Sequence, residues 1–196
     1  MFFLITGASG MGKSTVRAIL AKEFEGLIET AELIGIAGSL EWDSRWRHRA
    51  VERAVQRALA AQRSGRHFTL SSDPVPPGEL FAVPSAPELD GIAVCLLDAT
   101  PEEQIRRLAK RGEDPVLFPR HVAFADWMRE HLTNPGHMPE VIMQNGWEEM
   151  RWDRWVGLDG SEVPWAGPVI DTTNRTPVEV ARLVSGWIRQ HICPAN

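Results

Sequence analysis

Residues Gly7-Ala8-Ser9-Gly10-Met11-Gly12-Lys13-Ser14-Thr15 carry the most specific chemistry in the chain. They fit the spacing G-x-x-x-x-G-K-[ST] at each fixed position, with an additional glycine at Gly10. Glycines permit backbone angles closed to other residues and let the main chain approach a ligand closely. Successive N–H groups then turn inward and form a nest for phosphate oxygens. The helix that follows adds its positive end. In this pattern Lys13 reaches the β- and γ-phosphates of a nucleoside triphosphate, and the Ser14 hydroxyl binds Mg²⁺.

Other residues could complete a phosphoryl-transfer site. Asp73 follows an alternating run, residues 66–71, and precedes Pro74, so it stands at a strand tip beside the glycine loop. A carboxylate there can hold a Mg²⁺-bound water or accept a hydroxyl proton. Glu29 and Glu32 fall in a second short strand and the turn after it, where an open parallel sheet binds its ligands. They are candidate substrate contacts, against the plainer reading of two solvated carboxylates. Arg45 and Arg49 lie four apart on a long helix and could grip an anionic substrate, although a solvated basic face explains them as well. Arg107 and Arg111 lie one turn apart near a helix end, where cations suit the helix dipole. Facing a transferring phosphoryl group, they would neutralise its oxygens. Arg175, in the loop after the last strand, could touch the base of the nucleotide.

The elements that must position these groups alternate along the chain. The apolar residues 2–6 precede the glycine loop, and Val16, Ile19, Leu20 and Phe24 mark one face of the helix after it. Residues 35–38 read as a flexible connection before a helix over 43–63. Residues 92–97 form a continuous apolar run, as buried parallel strands do. Thr100-Pro101-Glu102-Glu103 and Thr176-Pro177-Val178-Glu179 each supply an N-cap, a proline at the first turn and a capping-box glutamate. Further helices are expected over 121–131 and 139–145. Five strands alternating with helices predict an α/β, three-layer fold, a five-stranded parallel sheet flanked by helices, in a single domain over 1–196. Trp147, Trp152, Trp155 and Trp165 fall together in residues 147–165. Grouped tryptophans fill a core, an oligomer interface or, less often, stack on a substrate ring.

Composition narrows the classes. The chain has 196 residues, 43% hydrophobic, enough for a real core. Its formal charge of -5 disfavours non-specific nucleic-acid binding. No apolar run reaches the roughly 18 residues a membrane helix needs. Cys95 and Cys193 make no disulfide framework and lack metal-ligand company, so a reducing cytoplasm is expected. His121, His131 and His137 have no metal spacing.

On these motifs the chain resembles the P-loop kinases of the nucleoside monophosphate kinase-like superfamily, which includes adenylate, shikimate and gluconate kinases. Residues 27–34 look like that group's second strand with its acidic substrate-site turn, with Ala31 where a second acid is often found. Leu97-Asp98-Ala99, running to Arg107, Leu108 and Arg111, looks like the strand and helix that lead into a mobile, arginine-bearing lid. Residues 169–173 look like the last strand near the adenine. The resemblance implies ATP with Mg²⁺, a small-molecule acceptor, and a lid or insert at about residues 111–165. The Asp-Gly-Phe-Pro-Arg-type stretch of adenylate kinases is absent; Ser72-Asp73-Pro74 stands there. A nucleotide-dependent switch or ATPase, or an ATP-binding protein acting on a macromolecular partner, is the alternative. Asp98 is followed by Ala99 rather than the water-activating glutamate of a motor ATPase, which disfavours it.

Overall fold

A computed structural model describes residues 1–71, 73–158 and 163–192, so Ser72 and Cys193 lie outside the described residues. Five strands form one sheet: β1 (Phe2–Thr6), β2 (Ile28–Glu32), β3 (His67–Ser71), β4 (Ile92–Asp98) and β5 (Val169–Asp171). Their order is β2-β3-β1-β4-β5, and each adjacent pair is parallel. The expected α/β architecture is the one observed.

Strand side chains alternate between two cores. Phe2, Leu4, Phe68, Leu70, Val94 and Leu96 enter one. Phe3, Ile5, Ala93, Cys95 and Leu97 enter the other. The second core is closed by α1 (Lys13–Glu23) and α8 (Pro177–Ile192), through Val16, Leu20, Val180, Val184 and Ile188. The first is closed by α2 (Leu33–Ala37), α3 (Trp46–Arg63) and α4 (Pro77–Ala82). Two more helices, α5 (Pro101–Lys110) and α6 (Phe118–Thr133), follow β4, and a single turn, α7 (Glu140–Met143), comes after them.

Two local expectations need correction. Residues 35–38 are not merely a loose connection, because Leu33–Ala37 is helical. The Asp73 carboxylate accepts the Leu33 N–H at 2.8 Å, so this turn is held by a residue forty positions away. The cap at Thr176 is reciprocal, with Glu179 accepting the Thr176 N–H at 2.7 Å. At Thr100 the hydroxyl accepts the Glu103 N–H at 3.4 Å, but Glu103 turns to Arg106 and Arg107 instead of reaching back.

Two of the four tryptophans in residues 147–165 turn fully inward. Trp155 and Trp165 are 0% and 1% exposed, and Trp127 of α6 packs with them around the buried His131. Trp155 donates to the Gly78 carbonyl at 2.9 Å and Trp165 to the His131 carbonyl at 3.2 Å. Both indole N–H groups are therefore satisfied in the interior. Trp155 and Trp165 are core residues and offer no surface to a second subunit. Among the described residues, no helix is long and apolar enough to cross a membrane.

Candidate active site

The loop between β1 and α1 is shaped by what lies around it. Gly7 has φ 141°, and a Cβ there would stand 2.2 Å from the Leu97 carbonyl oxygen, so only glycine fits. Ala8 and Met11 are buried and anchor the loop in the α1–α8 core. Gly12 precedes α1 in the left-handed region and starts the helix.

Side chains hold four consecutive loop carbonyls. The Lys13 Nζ donates to Gly7 and Ala8, both at 2.8 Å. Gln104 of α5 donates to Ser9 at 2.9 Å. Arg107 donates to Gly10 at 3.2 Å. With these oxygens engaged, the loop is prepared to present N–H groups to an anion, as a phosphate nest requires.

The loop opens on a pocket of about 790 Å³, bounded on the other side by α5 and the loop after β5. Six cations line it, Lys13, Arg106, Arg107, Lys110, Arg111 and Arg175, against one acid, Glu103. In a chain of net charge -5 this is a concentrated positive field. Arg106 and then Arg107 bind Glu103 and hold its carboxyl down to about 2, so that acid stays ionised. Ser14 and Thr15 are exposed and line the pocket.

Lys13 is only 5% exposed. Burial brings its ammonium down to about 7; Asp73 opposes the shift and Arg111 adds to it. Asp73 is raised from the ordinary carboxylate value, chiefly by burial, against the Leu33 and Ile34 N–H groups and Lys13. Two contacts bring Asp73 to this position. Thr6, at the end of β1, donates to the Val75 carbonyl at 2.5 Å, and Ser71 donates to the Lys13 carbonyl at 3.4 Å.

The predicted site residues separate into two groups. Residues 9–15, Arg107, Arg111 and Arg175 meet in the pocket, with Asp73 in the field of Lys13. Glu29 does not join them. It pairs across from Phe68, which in turn pairs with Phe2, so it sits toward the opposite end of the sheet, bound to Arg57 and Arg66. Glu32 lies at the correct strand end but is ion-paired with Arg17 of α1. Arg45 binds Glu148 at 2.9 Å, and Arg49 binds Asp43 and the Glu41 carbonyl, so both lace the start of α3 to its surroundings.

The two arginines at the end of α5 differ. Arg107 donates four N–H bonds: to Glu103, to Gly10, to the Thr172 hydroxyl at 2.8 Å and to the Thr172 carbonyl at 2.6 Å. Its fork is committed to holding loops. The Arg111 guanidinium has no hydrogen-bond partner among the described residues and faces the same pocket. Gln104 was missed by sequence reasoning. Its only available signal was a polar residue on the buried stripe of α5, where it is 1% exposed.

No family model matches the sequence, and no curated protein does. The sheet, its helices and the glycine loop nonetheless define a class, the three-layer α/β fold of P-loop proteins, and the solved structures that share it include kinases. The APS kinase CysC of Mycobacterium tuberculosis, in complex with AMPPNP and APS, is 13% identical, with 96% of each chain covered and a TM-score of 0.51. A sugar kinase of a Janibacter species is 17% identical over 98% of this chain and 95% of that one, with a TM-score of 0.51. YorR of Bacillus subtilis, in complex with phosphorylated GDP, is 14% identical over 100% of both chains, with a TM-score of 0.53. At these identities the likeness establishes the fold.

Proposed function

We propose that the chain is an ATP-dependent phosphotransferase that moves the γ-phosphoryl group to a hydroxyl or phosphate of a small molecule. The observation that carries this reading is the glycine loop with carbonyls Gly7 to Gly10 held by side chains, opening on a pocket with six cationic side chains. That pocket suits a triphosphate tail. The solved structures of the same fold that bind AMPPNP or a guanine nucleotide support a nucleotide there.

The roles follow from position. The loop amides and Lys13 bind and orient the phosphates. The exposed Ser14 hydroxyl, with Asp73 through a water, would hold Mg²⁺, which supplies charge neutralisation across the phosphate oxygens when bound. Asp73, with its raised affinity for protons, accepts the proton of the acceptor hydroxyl as that oxygen bonds to the γ-phosphorus and the bond to the β-phosphate oxygen breaks. Arg111, whose guanidinium has no hydrogen-bond partner among the described residues, meets charge developing on the transferred group. Arg107 acts through the loops it holds, which revises the sequence expectation that both arginines face the phosphoryl group. Arg175 lines the pocket together with Pro177 and Val180, where the base would lie. The cytoplasm is the fitting compartment, since ATP is made there and thiols such as Cys95 stay reduced.

A screen of ATP consumption over metabolites, nucleosides and antibiotics, with product masses measured, tests the reading. One acceptor should gain the mass of a phosphoryl group, and Lys13→Ala should abolish the transfer while remaining folded. Transfer unchanged in Lys13→Ala would refute this site.

A further inference from the structure

We propose that Gln104 is a positioning residue that ties the phosphate loop to α6, so that a nucleotide in the loop steadies that helix. The inference rests on the nucleotide reading above and adds a coupling to it. Gln104 lies on the inner side of α5 and is 1% exposed. A glutamine amide carries two donor hydrogens on one nitrogen. Here that nitrogen donates to the Ser9 carbonyl at 2.9 Å and to the His121 carbonyl, in the first turns of α6, at 3.1 Å. Among the described residues it is the single side chain hydrogen-bonded to both the loop and α6. Glutamate would offer no donor to either carbonyl, and lysine would bring a charge into a buried position.

The other held carbonyls are treated differently. Lys13 belongs to the loop itself, and Arg107 joins the loop to Thr172 after β5. Of these three side chains, Gln104 alone reaches α6. From there α6 is fastened at two further places near the site. Arg129 binds Asp98 at the end of β4 at 2.7 Å. His131 accepts the Gly78 N–H at 3.3 Å, at the start of α4, which follows the Asp73 turn. Phosphates drawing the Ser9 and Gly10 amides inward load the Ser9 carbonyl, and the shared amide passes that load to His121. The link from loop to helix is one side-chain amide with two part-buried hydrogen bonds, and α6 carries it on to Asp98 and Gly78.

Amide hydrogen exchange of the whole protein, with and without Mg·ADP, tests this. In the native chain, amides of residues 9–13 and of residues 121–128 should both slow, by about tenfold or more. Gln104→Met keeps length and burial but donates nothing. In that variant the loop amides should still slow, while those of 121–128 change by less than about twofold. Its kcat should fall about tenfold with KM for nucleotide nearly unchanged, because binding survives and arrangement does not. Equal slowing of 121–128 in Gln104→Met would overturn the coupling. So would a native chain whose loop amides slow while α6 does not respond, a result that requires no variant to fold. Loop amides indifferent to Mg·ADP would overturn the nucleotide reading and the coupling with it.

Discussion

Arg107 and Thr172 are joined twice, guanidinium to hydroxyl at 2.8 Å and guanidinium to carbonyl at 2.6 Å. The Thr172 N–H and hydroxyl in turn donate to the Asp98 carbonyl at 2.7 and 2.8 Å. One fork therefore fixes the loop after β5 against the glycine loop, and Gly10, Arg107 and Thr172 all line the pocket.

This division of labour predicts opposite kinetic signatures for two neighbouring arginines. Arg107→Lys keeps the charge and loses the fork. It should raise KM for nucleotide roughly tenfold and destabilise the fold by about 1–3 kcal/mol, from the hydrogen bonds lost. Arg111→Ala should lower kcat by about 10²–10³, as loss of a donor to developing charge does, with little change in stability. Steady-state kinetics and urea unfolding of both variants measure this. A pure kcat loss in Arg107→Lys would show that the roles are reversed.

Lys13 should take up a proton when nucleotide binds. Burial lowers its ammonium to about 7 in the free protein. Phosphate oxygens favour the charged form and raise it again. Between pH 7 and 9 the bound state then holds more protons than the free state, so affinity falls as pH rises. Calorimetry at pH 8 in buffers of different ionisation heat should show uptake of close to one proton per Mg·ATP, absent in Lys13→Met. Heats independent of the buffer would contradict the assignment. The same shift has a folding consequence. From about 7 to the ordinary 10.5 the unfolded chain binds more protons at this site, so stability of the free protein rises with pH across that window.

His131 gives an acid-side counterpart in the core. It stacks on Trp127 with ring centroids 4.7 Å apart and meets Trp155 and Trp165 at 5.4 and 5.0 Å. Burial lowers its pKa to about 4; nearby Glu79 opposes the shift and His137 adds to it. The folded state thus holds a neutral ring where the unfolded chain, near 6.5, accepts a proton. The contribution is intact above pH 6.5 and is lost as pH falls toward 4, by up to about 3 kcal/mol. Urea unfolding of His131→Gln at pH 7 and pH 4.5 should show a smaller acid loss than the native chain. An equal loss would place the acid sensitivity elsewhere.

The parts of this molecule that could be read from the sequence are those whose partners are close in the chain. The glycine loop declares itself because its glycines, lysine and hydroxyl residues fall within nine adjacent positions. The strands declare themselves because Phe2 and Leu4 alternate with Phe3 and Ile5 between two cores. Arg107 misled for the opposite reason. Its spacing from Arg111 suggested a matched pair, while its partners Gly10 and Thr172 lie 97 and 65 positions away. Glu29 was assigned to the wrong end of its strand because the register against Phe68 is set by β3, far along the chain. The α2 turn depends on the Asp73 carboxylate, and no local pattern in Leu33 to Ala37 announces that cap.

The order β2-β3-β1-β4-β5 also has a bearing on biosynthesis. The middle strand is translated ahead of both its neighbours, and Phe2 finds Phe68 on one side and Ile92 on the other. Until the ribosome has released residues near 98, that ribbon of aromatic and aliphatic side chains has unpaired edges, and it can recruit the wrong strand or another nascent chain. Long-range pairing of this kind slows collapse to the native arrangement. The strand translated first of the five is therefore completed late, and a chaperone that shields it as it emerges would have its greatest effect on yield here.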